Sequence, residues 1–170
     1  MKSNNIGAQD ASREQVWEKV RSIRSSWKDP SQLESLLAQW DQEYGSRYNE
    51  LAIELITDQT RKYWAKIADN EGKNDLDALM GVLWHNWDEG KYSVTENADG
   101  VQIHCTMCPI AEAFQSIGRQ QEGLLFMCSE DPAIVEGFNP DIEFQRTKTL
   151  MNGDDCCNHR YSQKKAIDTS

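Results

Sequence analysis

The residues able to do chemistry crowd into the second half of this chain. All five cysteines, Cys105, Cys108, Cys128, Cys156 and Cys157, lie there, together with Asp131, Arg146, Lys148 and His159. Cys108 directly precedes Pro109, and proline is best tolerated at a first helical position, so the Cys108 sulfur is expected at a helix cap facing unpaired amides and the positive dipole end. A thiol in that position is biased toward thiolate, whereas the commonest fate of a free cysteine is that of a small buried apolar residue. Asp131 precedes Pro132 and is expected to cap a helix of its own.

Near the C-terminus, residues two apart share a strand face, so Cys157, His159 and Tyr161 point one way and Cys156, Asn158 and Arg160 the other. Asn152-Gly153 reads as a two-residue hairpin turn, which would set Leu150 against Asp155, Lys148 against Cys157, Arg146 against His159 and Phe144 against Tyr161. The reverse face is too polar for a core, so Arg146 and Lys148 are expected to face inward with Phe144, Leu150 and Tyr161. Inward cations need partners. Acidic side chains from elsewhere in the chain would serve, or a carboxylate-bearing ligand in a pocket for a small acid; alternatively both stems snorkel to the sheet edge. Cys105, Cys108, Cys128 and Cys157 with His104 and His159 also offer soft ligands for a zinc-like divalent metal, although Cys105 and Cys108 form the single tight ligand pair.

Before these residues come the elements that must hold them. Val16, Trp17, Val20, Ile23 and Trp27 recur at helical spacing, and Asp29-Pro30 opens a second helix to about Tyr44. The series from Tyr48 to Ile67 predicts a third, ending near Asn70-Glu71-Gly72. Leu76, Leu79, Met80, Leu83, Trp84 and Trp87 predict a fourth, stopped by Gly90 as a glycine cap. Beyond Gly90 the period drops to two: Tyr92 and Val94, then Val101, Ile103 and Cys105, flank a turn at Asn97 to Gly100. A helix follows from Pro109 to Gly118, then two short helices or one kinked helix across Leu124 to Val135, then the Cys157 hairpin. The fold class is α+β, an N-terminal helical layer packed on a small antiparallel sheet with one or two inserted helices.

One domain accommodates all of this in 170 residues: a disordered start over 1–10, a helical half over 11–90, a cysteine-rich half over 91–161 and a flexible tail over 162–170. A formal net charge of -10 disfavours nucleic acid and anionic membrane as partners, and no apolar run is long enough to span a bilayer. With no secretory apolar block at the start and an odd cysteine count, the expected setting is the cytoplasm, with free thiols and no disulfide framework. No glycine-rich phosphate loop is present. Six tryptophans before residue 90 enrich the helical half in apolar surface, through which a homodimer could form.

Three ordered blocks carry a family resemblance: Cys108-Pro109-Ile110-Ala111-Glu112, then Cys128-Ser129-Glu130-Asp131, then Thr147-Lys148-Thr149-Leu150-Met151-Asn152-Gly153-Asp154-Asp155-Cys156-Cys157. Over about residues 80–161 the chain resembles the L-2-amino-thiazoline-4-carboxylic acid hydrolase family. That resemblance implies an enzyme that adds water at the C=N carbon of a thiazoline ring and yields an N-carbamoyl cysteine. It puts Cys108, Cys128, Asp131, Asp154 and Cys157 on motif positions, with His159 where an aromatic residue is expected. The implied chemistry is hydrolytic opening of a C–N bond in a small cyclic amidine or thiazoline carboxylate. Cys108 or Cys157 would attack, His159 or Asp131 would move protons, Lys148 would help ionise the thiol, and Arg146 would hold the substrate carboxylate. Two alternatives compete with that scheme. In one, Cys108, Cys128, Cys157 and His159 hold a metal that activates water; in the other, the chain is a non-catalytic small-molecule or metal-binding module acting with a partner protein.

Overall fold

A computed structural model of the chain describes residues 10–164, so the readings for residues 1–9 and 165–170 lie outside the described residues. Four helices come first: α1 (Arg13–Ser25), α2 (Pro30–Glu43), α3 (Asn49–Glu71) and α4 (Leu76–Leu83). Three of the four starts are capped by a side chain. Ser12 and Gln15 form a reciprocal capping box on α1, and the carboxylates of Asp29 and Asp75 accept backbone N–H bonds at α2 and α4.

Strands β1 (Lys91–Asn97) and β2 (Gly100–Met107) form the first hairpin, with Asn97 opposite Gly100. Helices α5 (Pro109–Ser116), α6 (Gln120–Phe126) and α7 (Asp131–Phe138) are inserted before β3 (Ile142–Gln145) and β4 (Cys157–Gln163). The chain thus resolves the alternative around Pro132 into two helices, giving three in the insertion. The sheet is antiparallel throughout in the order β1-β2-β4-β3. The architecture is α+β. Strand β4 takes in Ser162 and Gln163, beyond the expected start of the tail.

Two cores meet along the long helix α3. In the first, Val16, Val20 and Ile23 of α1 and Leu33, Leu37 and Trp40 of α2 pack on Ala52 and Ile56 of α3 and on Phe114 and Phe126 of the insertion. In the second, Leu79 and Met80 of α4 and Val135 and Phe138 of α7 cover Val101, Ile103 and Tyr161 of the sheet. Cys108 and Leu150 pack against both, which places the start of α5 at their junction.

Two expectations need correction. Helix α4 ends at Leu83, well short of Gly90, because the chain turns at Trp84, whose carbonyl accepts both the Trp87 amide and the Tyr92 hydroxyl. Gly90 lies beneath the Trp87 indole, where a methyl group would come within 2.1 Å of the ring, so it provides room rather than a cap. At the C-terminus Phe144 does oppose Tyr161, but the ladder stops at Gln145 and Arg160. Beyond it the Asn158 carboxamide oxygen accepts the amides of Thr147 (3.0 Å) and Lys148 (2.7 Å), replacing the ladder bonds that a continuing strand would make. Asn152 belongs to a 3-10 turn over Leu150–Asn152 that Gly153 closes at φ 87°, so residues 146–156 form a loop laid across the end of the sheet.

Two glycines test this packing with opposite signs. A methyl group on Gly137 of α7 would stand 2.3 Å from the Arg61 carbonyl oxygen of α3, whereas nothing lies within 4 Å of one on Gly81 of α4. Urea unfolding is expected to show Gly137→Ala destabilising by about 1–3 kcal/mol and Gly81→Ala stabilising by about 0.5–1 kcal/mol.

Candidate active site

The junction between the two cores holds a cavity of about 210 Å³. Cys105, Cys157, His159 and Tyr161 line it from the sheet, Cys108, Ile110 and Ala111 from the start of α5, and Leu83, Trp84 and Trp87 from the end of α4. The corner between α6 and α7 contributes Met127, Cys128, Glu130, Asp131 and Ile134, and the loop after β3 contributes Arg146, Thr149 and Met151.

One ion pair organises the polar side. The Arg146 guanidinium binds the Asp131 carboxylate and also reaches the Cys128 carbonyl at 3.4 Å. Its expected strand partner was His159; with the ladder broken at Gln145, Arg146 instead crosses to the insertion. Asp131 is the first residue of α7 and makes no side-chain cap, contrary to its expected role. Its side chain is 19 % exposed. Burial pushes its pKa up to about 7, against the downward pull of Arg146.

Burial also dominates at Cys105, Cys108 and Cys128. Cys108 does occupy the cap of α5, but desolvation raises its pKa and outweighs the lowering by the amides of Ala111 and Ile110, so the expected bias toward thiolate is reversed. Cys105 and Cys128 are both pushed up to about 12 by burial, with Cys157 and Asp131 respectively the next contributors. Cys157 differs in its neighbours: its Sγ accepts the Leu150 amide at 3.2 Å and lies 3.6 Å from Thr149 Oγ1. Asp154 holds that loop in place by accepting the Thr149 amide at 2.8 Å, a scaffolding role outside the cavity. Cys156 is buried outside the cavity lining.

Cys105 and Cys157 are register partners on β2 and β4. Counting from the turn-closing pair Asn97 and Gly100, odd-numbered residues of β2 aim their backbone groups at β4, so this is a hydrogen-bonded pair. Cβ atoms in such pairs stand about 5.5 Å apart, beyond the roughly 3.5–4.5 Å of a disulfide, and both residues are free thiols.

His159 is packed edge-on against Trp84 (5.1 Å between ring centroids) and Phe144 (5.5 Å). Burial, with Arg146 adding, depresses its pKa to about 3, so the ring is neutral at pH 7. Tyr161 Oη accepts the Trp84 indole N–H at 3.0 Å and lies 3.4 Å from His159 Nδ1. With the ring proton on Nε2, the hydroxyl would donate to Nδ1.

Lys148 is absent from the cavity wall. Its side chain is 49 % exposed and pairs with Asp155 at 2.9 Å, because the loop turns it outward where a strand would have turned it in. The metal reading also fails to assemble: among the described residues no three His, Cys, Asp or Glu side chains form a group able to hold an ion. Cys108 and Cys128 come from different walls, the Cys157 sulfur bonds to the loop and His159 turns to Tyr161, while His104 is exposed on the outer face.

Residues 33–161 match the family described as L-2-amino-thiazoline-4-carboxylic acid hydrolase. The chain belongs to that family. No curated protein and no solved structure matches it. Relative to the motif blocks, the hydrolase family match reaches back through α2 and α3 and leaves α1 outside. Among the described residues no helix is long and apolar enough to cross a membrane.

Several cavity residues carried no chemical signal in the sequence. Trp84 and Trp87 read as part of a core stripe, and Thr149 had nothing to mark it; Glu130 could have been noticed as the acidic neighbour of Asp131.

The opposite pKa shifts of His159 and Asp131 separate in a stability experiment. A depressed His159 stabilises the fold above its unfolded value near 6.5, and that stability is lost as pH falls toward about 3. A raised Asp131 acts the other way, its stability being present below about 3.8 and lost as pH rises through about 7. His159→Phe is expected to remove the first contribution, so the difference between wild type and variant in urea unfolding should slope by up to about 1.4 kcal/mol per pH unit between pH 6.5 and 3. A constant difference across that range would contradict the neutral-imidazole assignment.

Proposed function

We propose that this family member is a hydrolase that opens a small cyclic amidine or thiazoline carboxylate in this cavity, with Cys157 as nucleophile. The observation that carries the reading is the convergence of Cys157, Asp131 and Arg146 on one hollow of about 210 Å³, a size suited to a single five-membered ring. Arg146 holds the substrate carboxylate. Asp131 must then be displaced from its partner, and protonation lets it go: its pKa near 7 makes the neutral acid available when a second carboxylate arrives.

As the Cys157 sulfur attacks the C=N carbon, neutral Asp131 gives its proton to the ring nitrogen and takes up the proton that the thiol loses, so the carboxyl group ends the step neutral. The Leu150 amide donates a hydrogen bond to the attacking sulfur, whose thiol hydrogen is directed at Thr149 Oγ1. Loss of the protonated nitrogen from the tetrahedral adduct breaks the C–N bond and leaves the carbon on sulfur. Water then adds at that carbon and frees Cys157, so one water is consumed. In a thiazoline the adduct breaks its C–S bond instead, the ring sulfur leaving with the proton held by Asp131, and water then displaces Cys157 from the carbon to give the N-carbamoyl thiol. His159 acts as a neutral hydrogen-bonding ring, since a pKa near 3 leaves it unprotonated at pH 7.

A second reading, a pocket that binds without turnover, draws on the raised pKa values of Cys105, Cys108 and Cys128, which suit packing better than attack. Turnover of L-2-amino-thiazoline-4-carboxylate separates the two. Cys157→Ala is expected to abolish ring opening, and Asp131→Asn to lower kcat by about 10²–10⁴-fold. Wild-type kcat/KM should fall as pH rises above 7, where Asp131 loses its proton. Unchanged turnover in folded Cys157→Ala would remove the nucleophile assignment, and binding with no turnover in wild type would establish the second reading.

A further inference from the structure

Glu130 lines the cavity beside Asp131, so two adjacent carboxyl groups border a hollow proposed to receive an anion. Arg146 is matched by Asp131, or by the incoming carboxylate once Asp131 is protonated, so the charge of Glu130 needs a partner of its own. Arg24 supplies the balance. It does so from behind Glu130, in a second cavity that Glu130 also lines: from α1 its Nη2 lies 2.5 Å from Glu130 Oε2, and the Thr60 hydroxyl donates to the same oxygen at 3.2 Å. The other guanidinium nitrogen donates to the Phe126 carbonyl. Arg24 and Glu130 are 21 % and 25 % exposed, so solvent and salt screen the pair less than they would a surface pair. Arg24 also precedes the segment that matches the family, residues 33–161.

We propose that Arg24 is a specificity-determining residue, which by cancelling the charge of Glu130 makes the cavity accept a carboxylate-bearing substrate in preference to its neutral analogue. This rests on the reading of the cavity as a site for an anionic ring, but it is tested without turnover. A purely structural Arg24, acting through the Phe126 carbonyl, would affect charged and neutral visitors alike. A charge-balancing Arg24 affects the charged visitor.

Iodoacetate and iodoacetamide are alkylating probes of similar size that differ by one negative charge. Their rates at Cys108 and Cys128, resolved by mass spectrometry at one fixed pH of about 8.5, give a ratio in which the thiolate fraction common to both probes cancels and which reports the charge of the cavity. Arg24→Gln is expected to lower the iodoacetate-to-iodoacetamide ratio roughly five- to tenfold, the size expected for one poorly screened charge. Arg24→Lys should hold the ratio near wild type, and Arg24→Gln with Glu130→Gln should restore it. Glu130→Gln alone, which keeps the hold on Phe126, should raise it by a similar factor. An unchanged ratio in Arg24→Gln, or no rise in Glu130→Gln, overturns the proposal. Ring opening does not enter the ratio, so failure here is distinct from failure of the hydrolase reading.

Discussion

Two opposite charges must be kept together, largely out of water, for this cavity to have its shape. The Arg146 and Asp131 side chains are 18 % and 19 % exposed, and each would be costly to bury alone. Their pairing ties the loop after β3 to the corner between α6 and α7. Arg146 also reaches the Cys128 carbonyl, while Arg24 holds the neighbouring Phe126 carbonyl and Glu130 from the opposite side. The corner carrying Cys128 and Asp131 is thus gripped between two guanidinium groups, one from the first helix and one from the last connection.

That grip bears on the thiols through geometry. The loop that delivers Arg146 also delivers the Leu150 amide to the Cys157 sulfur, and its own shape depends on Asp154 and Asn158 taking up the amides of Thr147, Lys148 and Thr149. Three of the four cavity thiols are governed by desolvation. At Cys108 the cap of α5 lowers the pKa as a helix terminus should, yet the loss of water around the sulfur is the larger effect. A helix terminus is worth about 0.3–1 kcal/mol when exposed, which burial of a thiolate readily exceeds.

Much of the fold was legible because its signals are local. The cap at Asp29 and the close-set turn between β1 and β2 need only neighbouring residues. The inward face of β4 was legible for the same reason, since a period of two fixes Cys157, His159 and Tyr161 together. What was not legible depends on partners distant in sequence. Lys148 was read as inward because Asn152-Gly153 mimics a hairpin turn, and only the Asn158 carboxamide, which terminates the ladder, reverses that reading. Asp131 was read as a cap because it precedes a proline; its partner Arg146 lies fifteen residues on, in a loop the pattern did not foresee. Gly90 looked like a terminator until the Trp87 ring was placed over it.

A single guanidinium connects the two perturbed acid–base groups. Burial raises Asp131 and depresses His159, which are the same physical effect acting on an acid whose charged form is negative and a base whose charged form is positive. Arg146 opposes burial at Asp131 and reinforces it at His159. The outcome is a carboxyl group poised near pH 7 beside an imidazole that stays neutral, a separation of the kind that assigns proton donation to one group and denies it to the other. Were Arg146 drawn onto an incoming carboxylate, Asp131 would lose the main charge opposing its protonation and hold its proton more firmly. Binding of an anion and readiness of the acid are then linked through the same side chain.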